Sequence, residues 1–413
     1  LKNQLTGQSY AHAIHQYKTD RQPSDKLFGF KRALVHFAAD NNEVYMTTKI
    51  EGLRTYFLPF NLGNNNGEGN PPAKDKFATY YLWEDVFTKD SLAEIISRFM
   101  HVMVEKKKDP KTGRTEKKET LLFPRYHQRD VVRKLIADAR ENGAGRNYLI
   151  QHSAGSGKSN SIAWTAHNLS DLHDAGDRKV FDKIIIITDR RVLDRQLRDT
   201  VSQFEQQHDV VKGVTSSSEL REALEDKTKI IVSTLQKFPV IAADIEHMSG
   251  KTFAVIVDEA HSSQSGESTK ALKQTLSKLE DAESEDEANK VLDAEEQFAL
   301  EAQAARGRLP HVSFFAFTAT PKEKTLELFG EKGTDGKFRP FSRYSMKQAV
   351  EENFILDVLK NYTTHKMYFE LAKKAAEADP EFEKKKAYRV GIGYADLHEH
   401  GIEKKAELMV EHY

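Results

Sequence analysis

The chain has 413 residues, 38% of them hydrophobic, which is enough for two or three domains with hydrophobic cores. Its 62 Lys and Arg residues nearly balance 63 Asp and Glu residues, which excludes a globally basic nucleic-acid-binding protein, so any DNA contact must come from local patches. The absence of cysteine excludes disulfides, zinc–thiolate sites and thiol catalysis, and no apolar run approaches the roughly 18 residues of a membrane span, so we expect a cytoplasmic protein without membrane contact.

The first 60 residues contain short β-like runs. Residues 33–39 and 43–49 flank Asp40-Asn-Asn42, and because Asn and Asp tolerate the left-handed conformation of a tight turn, this pattern predicts a β-hairpin. Residues 61–72 are rich in Asn, Gly and Pro. That composition predicts a loop lying open at the surface.

Residues 79–104 have helical spacing, which places five apolar side chains on one predicted face: Leu92, Ile95, Ile96, Phe99 and Val102. The highly charged residues 105–118 follow. We interpret them as a solvated linker or hairpin tip at a domain boundary, and the alternative is a lysine patch that binds phosphate.

From about residue 120, predicted strands alternate with predicted helices, which is typical of a parallel sheet with crossover helices. Five apolar runs are the predicted strands: residues 147–150, 183–188, 229–233, 253–257 and 312–317. Each ends in polar residues, which we expect to collect at the carboxyl edge of the sheet, where ligands bind. The acidic residues 267–308 are a predicted exposed helical insertion without chemistry, and further helical runs follow residue 345.

The first predicted strand leads into a loop of small residues, followed by Lys158 and Ser159. Gly155 and Gly157 can adopt positive φ, so that backbone N–H groups point at a polyphosphate on the N-terminus of the next helix. In such a loop Lys158 reaches the β and γ phosphates, and the Ser159 hydroxyl binds Mg²⁺. The strict pattern has glycine where this chain has His152, and a flexible turn is the alternative for the loop alone.

Asp258-Glu-Ala-His261 directly follows the fourth predicted strand. A carboxylate at the end of a strand can hold a Mg²⁺ that bridges nucleotide phosphates, and its neighbour can polarise the attacking water. We assign the first role to Asp258 and the second to Glu259. A plain acidic loop is the alternative, but the order behind a phosphate loop favours a nucleotide site.

The phosphate loop, residues 258–261 and Thr318-Ala-Thr-Pro321 together resemble the ordered motifs of the first RecA-like domain of superfamily-two helicases and translocases, a branch that tolerates the histidine in the loop. Tyr126-His-Gln128 resembles the adenine-reading glutamine motif, and residues 188–191 and 233–236 resemble motifs Ia and Ib. Taken singly, Gln128 is a surface glutamine and the threonines a strand-end turn. The resemblance implies these site residues: for ATP, Gln128, Gly155, Ser156, Gly157, Lys158, Ser159, Asp258 and His261; for catalysis, Lys158 and Glu259; for Mg²⁺, Ser159 and Asp258; for DNA, Arg190, Arg191, Thr234 and Gln236; for coupling hydrolysis to strand movement, Thr318 and Thr320.

That family completes its ATP site with a second RecA-like domain that carries an arginine finger. We find no such motif before Tyr413, and the chain begins at Leu1 rather than Met. We therefore expect a fragment that carries one half of an ATPase motor and hydrolyses ATP poorly by itself.

The amino-terminal part narrows the resemblance. Six segments together resemble the restriction (R, HsdR) subunit of type I restriction-modification enzymes: residues 1–7, 13–17, 44–48, 57–61, 81–85 and 261–266. In that family an Asp and a Glu-x-Lys element hold Mg²⁺ for DNA cleavage, and the matching lysine is Lys2, which taken alone is a solvated terminal lysine. Gln16 and Tyr17 match a Gln/Tyr element of related nucleases. Both carboxylates would precede Leu1, so we expect no DNA cleavage by this chain alone.

The predicted fold is α/β: a RecA-like parallel sheet with flanking helices, preceded by a truncated α+β nuclease-like domain of the PD-(D/E)xK type. The predicted domains are the C-terminal part of the nuclease-like domain at 1–115, the first RecA-like ATPase domain at 116–345, and a linker with the start of a second RecA-like domain at 346–413.

The resemblance implies ATP and Mg²⁺ as cofactors, and double-stranded DNA, a methyltransferase (M) subunit and a specificity (S) subunit as partners. The implied function is ATP-dependent translocation on DNA coupled to cleavage. Two alternatives stay open. One is a helicase or remodelling ATPase without nuclease activity, and the other is a nucleotide-bound scaffold that does not hydrolyse ATP.

Overall fold

The computed structural model describes residues 2, 4–108, 115–188, 191–204, 210–214, 216–234, 237–246, 248, 250–258 and 309–357. The chain divides into two compact units, residues 1–355 and 356–413, and the described residues fall almost entirely in the first. The predicted acidic insertion and most of the predicted helical runs after residue 345 lie outside the described residues. Among the described helices, none is long and apolar enough to cross a membrane.

A seven-stranded sheet, parallel throughout, forms the centre of the first unit. In spatial order its strands are β14 (Ser342–Tyr344), β6 (Tyr148–His152), β11 (Val312–Thr318), β10 (Phe253–Asp258), β7 (Lys183–Thr188), β9 (Ile230–Thr234) and β8 (Val211–Gly213). The five predicted strands are confirmed. The sequence did not reveal β8 and β14, because three residues are too few to show a period.

Helices cover both faces of this sheet. They are α3 (Tyr126–Asn142), α4 (Lys158–Ser170), α5 (Arg191–Gln203), α6 (Ser217–Glu225), α7 (Phe238–Glu246) and α8 (Glu323–Phe329). Successive isoleucines of β7 alternate between the two cores: Ile184 and Ile186 pack with α3, α4 and α5, whereas Ile185 and Ile187 pack with α6 and α7. Burial on both faces explains why the strands are continuous apolar runs.

The amino-terminal part consists of α1 (Tyr10–Thr19) and an antiparallel sheet of β1 (His36–Ala39), β2 (Val44–Thr47) and β3 (Leu58–Pro59). The predicted hairpin is confirmed. Asp40 Oδ1 accepts hydrogen bonds from Asn42 N at 2.8 Å and Glu43 N at 3.0 Å, which closes the turn. The assignment of this part as nuclease-like stays a prediction.

The predicted helix at 79–104 is shorter than expected. Residues 82–86 and 95–99 form π-helical turns around α2 (Lys89–Glu94), and the helical part ends at Phe99. Val102 therefore does not share the helix face, since it lies in β4 (His101–Lys108), and Ile96 is exposed. The prediction was wrong here because an apolar residue at helical spacing can also lie at the start of a following strand.

Of the two interpretations of the charged residues 105–118, linker or hairpin tip, the structure agrees with the hairpin, because residues 105–108 and 115–118 lie in the antiparallel pair of β4 and β5 (Thr115–Leu122). Its ladder pairs Glu105 with Lys118, so two oppositely charged positions face each other across the strands. The sequence did not show these strands, because a run of charged residues lacks the alternation of apolar and polar residues that indicates a strand. Residues 109–114, between the two strands, lie outside the described residues.

Residues 61–72 are irregular, as predicted, but they do not lie fully open at the surface. Asn61 is buried, and its Oδ1 accepts hydrogen bonds from Val44 N at 2.9 Å and from Asn70 Nδ2 at 2.9 Å. The composition predicted a loop, but it could not show that asparagine amides tie the loop to β2. The chain finally adds the small pair β12 (Glu331–Lys332) and β13 (Phe338–Arg339), and then α9 (Met346–Glu351) after β14.

Candidate nucleotide-binding site

The loop between β6 and α4 has the geometry of a phosphate cradle. Gly155 and Gly157 have φ of 73° and 80°, the left-handed values that glycine adopts without a steric penalty. Gly157 caps α4, and Lys158 is the first helical residue. Gly155 and Ser159 are exposed beside this helix N-terminus, where backbone N–H groups and the helix dipole favour an anion.

Two side chains in the first turn of α3, Gln128 and His127, form hydrogen bonds to the backbone of this loop. Gln128 Nε2 donates to the carbonyl oxygens of Ser156 at 3.3 Å and Gly157 at 3.2 Å, while its Oε1 accepts from Arg125 N at 2.9 Å. His127 Nε2 donates to the Ser156 carbonyl at 3.3 Å. Both ends of the buried Gln128 amide are therefore used within the chain, and the adenine-reading role of Gln128 stays a prediction.

The carboxyl ends of four neighbouring strands bring predicted site residues to one edge. Asp258 pairs in register with Thr188 on β7 and with Phe317 on β11, next to Thr318, and Thr188 pairs with Thr234 on β9. The prediction that polar residues collect at this edge is confirmed. Asp258 and Thr234 are partly exposed and Thr318 is buried, whereas Thr320 lies exposed just beyond β11.

Several hydroxyls at this edge are buried without a hydrogen-bond partner among the described residues. They are Ser156 Oγ in the loop, Thr188 Oγ1, Ser233 Oγ and Thr318 Oγ1. Buried hydroxyls normally find a partner, so this edge offers unused hydrogen-bonding capacity. Together with the glycine cradle, the residues present fit a phosphate group with an oxygen-ligated cation. Among the described residues, no group of three or more His, Cys, Asp or Glu could hold a metal by itself.

His152, which occupies the glycine position of the strict loop pattern, is completely buried. Its ring lies 5.4 Å from His127 and 6.2 Å from Tyr344, centroid to centroid. Burial, with smaller contributions from the charges of Lys158 and Arg125, lowers the pKa of His152 to about 3. The ring is therefore neutral at pH 7 and packs as part of the loop's support.

A buried polar cluster that sequence reasoning missed lies behind the loop. Arg125 forms an ion pair with Glu352, and their side chains are 4% and 3% exposed. Tyr344 Oη accepts from Arg125 Nη2 at 2.9 Å and donates to Glu352 Oε2 at 2.6 Å, while Gln348 Nε2 donates to Glu352 Oε1 at 2.9 Å. The Tyr344 ring stacks on His127 with centroids 3.8 Å apart. The only local signal was Arg125 directly before the glutamine motif.

The predicted nuclease-associated residues belong to the amino-terminal part, beside β1 and on α1. Lys2 N donates to Ala39 O at 2.8 Å, next to β1. Gln16 and Tyr17 lie on α1, and the Tyr17 ring packs against Phe57 at 5.6 Å. Glu259, His261, Arg190 and Gln236 lie outside the described residues. Arg191 is the first residue of α5, and its side chain also lies outside the described part.

Comparison with known proteins agrees with this geometry. Residues 127–282 match the SWI2/SNF2 ATPase family, a range that begins at His127 and contains the phosphate loop and Asp258. Over 375 residues the chain is 25% identical to the type I restriction enzyme HindI endonuclease subunit of Haemophilus influenzae, covering 87% of this chain and 31% of that protein. The chain is similar in sequence to endonuclease subunits of type I restriction enzymes. The family resemblance predicted from the motifs is thereby confirmed.

A second relative supports the same relationship over a shorter stretch. The SauCOLORF180P endonuclease subunit of a Staphylococcus aureus type I restriction enzyme is 29% identical over 188 residues, 44% of this chain and 18% of that protein. The chain thus spans less than a third of the length of these restriction subunits. One similar solved structure is a fragment assigned to the HsdR subunit of a type I restriction enzyme from Vibrio vulnificus YJ016. It is 16% identical, and the match covers 82% of this chain and 48% of that one. The TM-score of 0.34 is too low to establish a shared fold.

Proposed function

We propose that this chain binds ATP with Mg²⁺ and is the motor part of a type I restriction endonuclease subunit, in which ATP hydrolysis drives translocation on double-stranded DNA before cleavage. The observation that carries the proposal is the loop from Ser153 to Gly157. Two glycines in the left-handed conformation open a cradle at the start of α4, and Lys158 stands at its first position.

The residues at the sheet edge have distinct roles in this proposal. Lys158 binds the β and γ phosphates, and Ser159 with Asp258 holds Mg²⁺. When bound, Mg²⁺ neutralises charge on the phosphates. Glu259, directly after Asp258, polarises the attacking water, and Thr318 and Thr320 connect the nucleotide edge to movement on DNA.

The proposed DNA contacts and the proposed nuclease residue follow from the resemblance of sequence motifs. Arg190, Arg191, Thr234 and Gln236 contact the DNA backbone, and Lys2 belongs to the nuclease. A methyltransferase subunit and a specificity subunit are the proposed partners. The similarity to type I restriction endonuclease subunits supports this assignment over most of the chain.

Nucleotide binding tests the proposal directly. A titration with a fluorescent ATP analogue and Mg²⁺ should show saturable binding by the wild-type chain and a loss of about tenfold or more in Lys158→Ala, since a charge-assisted phosphate contact is removed. The matched control is Lys134→Ala, because Lys134 is an exposed helical lysine on α3 that pairs with Asp130 at 2.7 Å. Equal binding by all three proteins contradicts the proposal.

A nuclease-free helicase or remodelling ATPase is the second candidate, and the match to the SWI2/SNF2 ATPase family favours it. DNA-dependent ATPase and Mg²⁺-dependent cleavage assays on the full-length subunit with its partners separate the candidates. Cleavage that Lys2→Ala abolishes while ATP hydrolysis persists supports the restriction enzyme, whereas hydrolysis without cleavage supports the second candidate. Binding without hydrolysis identifies a scaffold.

A further inference from the structure

Residues 344–355, which comprise Tyr344, α9 and the turn after it, lie between two loops that are far apart in sequence. One is the phosphate loop. The other is the amino-terminal loop at residues 61–72. All three belong to the same compact unit, so their mutual contacts can be read together.

On one side, residues 344–355 contact the phosphate loop directly at two points and through His127 at a third. Ser153 N donates to Tyr344 O at 3.0 Å. The Tyr344 ring stacks on His127, which donates to the Ser156 carbonyl at 3.3 Å. Ile355 packs so closely on Gly155 that a Cβ added there would lie 2.9 Å from Ile355 Cγ2.

On the other side, α9 contacts the amino-terminal loop. Ser345 Oγ donates to Asn66 O at 2.5 Å, and Glu68 N donates to Glu351 Oε2 at 2.9 Å. A Cβ added to Gly63 would lie 2.7 Å from the amide of Gln348. The glycine therefore lets the amino-terminal loop approach α9 closely.

Between these two contact surfaces, α9 is tied to the start of α3 by the buried cluster. Gln348, which faces Gly63, donates to Glu352, and Glu352 pairs with Arg125 and Tyr344. Gln348 and Glu352 are both buried, so a rotation of the Gln348 amide away from Gly63 breaks its hydrogen bond to Glu352 where water does not readily replace it. The path from Gly63 to Ser156 is a continuous series of contacts.

We propose that residues 344–355 position the phosphate loop and make its nucleotide affinity depend on how the amino-terminal loop 61–72 is seated. Gln348, Glu352 and Tyr344 are positioning residues in this scheme, since they act through His127 and Ser153. The inference rests on the proposed nucleotide-binding function. Coupling is reciprocal, so bound nucleotide must also tighten the contact between α9 and the amino-terminal loop.

Two glycines of the same loop provide the test. Gly63 and Gly69 have φ of 84° and 80°, so alanine is strained equally at both positions, but only the Gly63 Cβ would meet α9, because the space around Gly69 is open. With a fluorescent ADP analogue and Mg²⁺, Gly63→Ala should weaken binding about fivefold or more relative to Gly69→Ala. Equal affinities of the two variants overturn the inference.

Further measurements keep the two proposals separable. If the wild-type chain and Lys158→Ala bind the analogue equally, the proposed function itself is wrong. If wild type binds and Lys158→Ala does not, the affinities of Gly63→Ala and Gly69→Ala decide the inference. Should Gly63→Ala fail to fold, Gln348→Met replaces it, because this variant breaks the bond to Glu352 without a clash, and unchanged affinity then overturns the inference.

Hydrogen exchange provides a readout that a purely structural role of α9 would not change. The amides of Gly63 and Glu68 should exchange more slowly when the ADP analogue is bound, and those of Asp174 and Asp177, in the turn after α4, should not change. Unchanged exchange at Gly63 and Glu68 with nucleotide bound overturns the inference.

Discussion

Arg125 and Arg129 lie one helical turn apart at the start of α3, and both side chains are almost completely buried, at 4% and 2% exposure. They hold different parts of the molecule. Arg125 pairs with Glu352 after α9, whereas Arg129 pairs with Asp85, at 2.8 Å, in the amino-terminal part. The start of α3 therefore connects the seven-stranded sheet to both flanking segments.

The two arginines differ in the surroundings of their partners. Glu352 is 3% exposed, so water cannot replace it, while Asp85 is 34% exposed and also pairs with Arg133. Arg129 has a further bond to Ser91 Oγ at 2.6 Å. Only the Arg125 cluster touches the phosphate loop, through Tyr344 and His127. The comparison indicates that one buried arginine serves both stability and the site, and the other serves stability alone.

The largest expected effect is that of Glu352→Leu. Removing this carboxylate leaves the Arg125 guanidinium buried without its counter-ion, which should lower the free energy of unfolding by about 3–5 kcal/mol. Urea titration measures the change. The double variant Arg125→Met/Glu352→Leu is the control, because removing both charges should restore most of the loss. A single variant as stable as wild type contradicts the comparison.

The second expected effect concerns pH, because two buried histidines, His127 and His152, lie next to Tyr344 of the Arg125 cluster. Burial, and then nearby positive charge, lowers the pKa of His127, and similar causes lower that of His152 to about 3. In the unfolded chain both titrate near 6.5, so the unfolded state binds more protons below that pH. Stability is therefore complete above pH 6.5 and falls with decreasing pH, by up to about 1.4 kcal/mol per pH unit for each histidine.

The variant His152→Leu should remove one of these contributions and flatten the loss of stability between pH 6.5 and 4. At pH 7 its cost should be within about 1 kcal/mol, because both ring nitrogens of His152 lack a hydrogen-bond partner among the described residues. The exposed His15, replaced by Leu, is the control. Urea unfolding at several pH values measures both variants, and equal pH slopes for wild type and His152→Leu refute this prediction.

The sheet and the loop could be predicted from sequence because their signals are local. A run such as residues 183–188 has one explanation, a strand buried on both faces, and Gly155 and Gly157 imply a backbone that only glycine adopts readily. The Arg125–Glu352 pair could not be predicted, since its members are 227 residues apart. Arginine and glutamate are ordinarily exposed, so neither residue type indicates burial.

Two further features were predicted only in part, for the same physical reason. The β4–β5 hairpin has no apolar alternation beyond its base, and its charged positions pair only once the register is known. The loop at residues 61–72 has the composition of an open loop, yet α9 and the asparagine amides hold it in place. In both, contacts between distant segments decide the structure.

The smallest expected effect is that of Asp85→Asn, which should lower the free energy of unfolding at pH 7 by about 1–2 kcal/mol, a value discounted because Asp85 is a third exposed. Arg129 keeps Ser91 as a partner and has Glu94 at 3.9 Å, so its charge is not left uncompensated. Urea unfolding measures the loss, and Lys76→Ala, which breaks the exposed pair with Glu84, is the control, with a loss of at most about 1 kcal/mol.

The pH dependence of that loss distinguishes the two arginine clusters. Burial alone would raise the pKa of Asp85, but the hydrogen bond from Arg129 and the charges of Arg129 and Arg133 outweigh it and lower the pKa below 3.8. The contribution of Asp85 is therefore complete above the unfolded value of 3.8 and is lost as pH falls toward the folded value, so the difference between wild type and Asp85→Asn should shrink only below about pH 3.8. Next to the Arg125 cluster, by contrast, His127 and His152 lower the free energy of unfolding from pH 6.5 downward. A difference for Asp85→Asn that already shrinks between pH 6.5 and 5 would show that the clusters titrate together, and the separation of their roles would then be wrong.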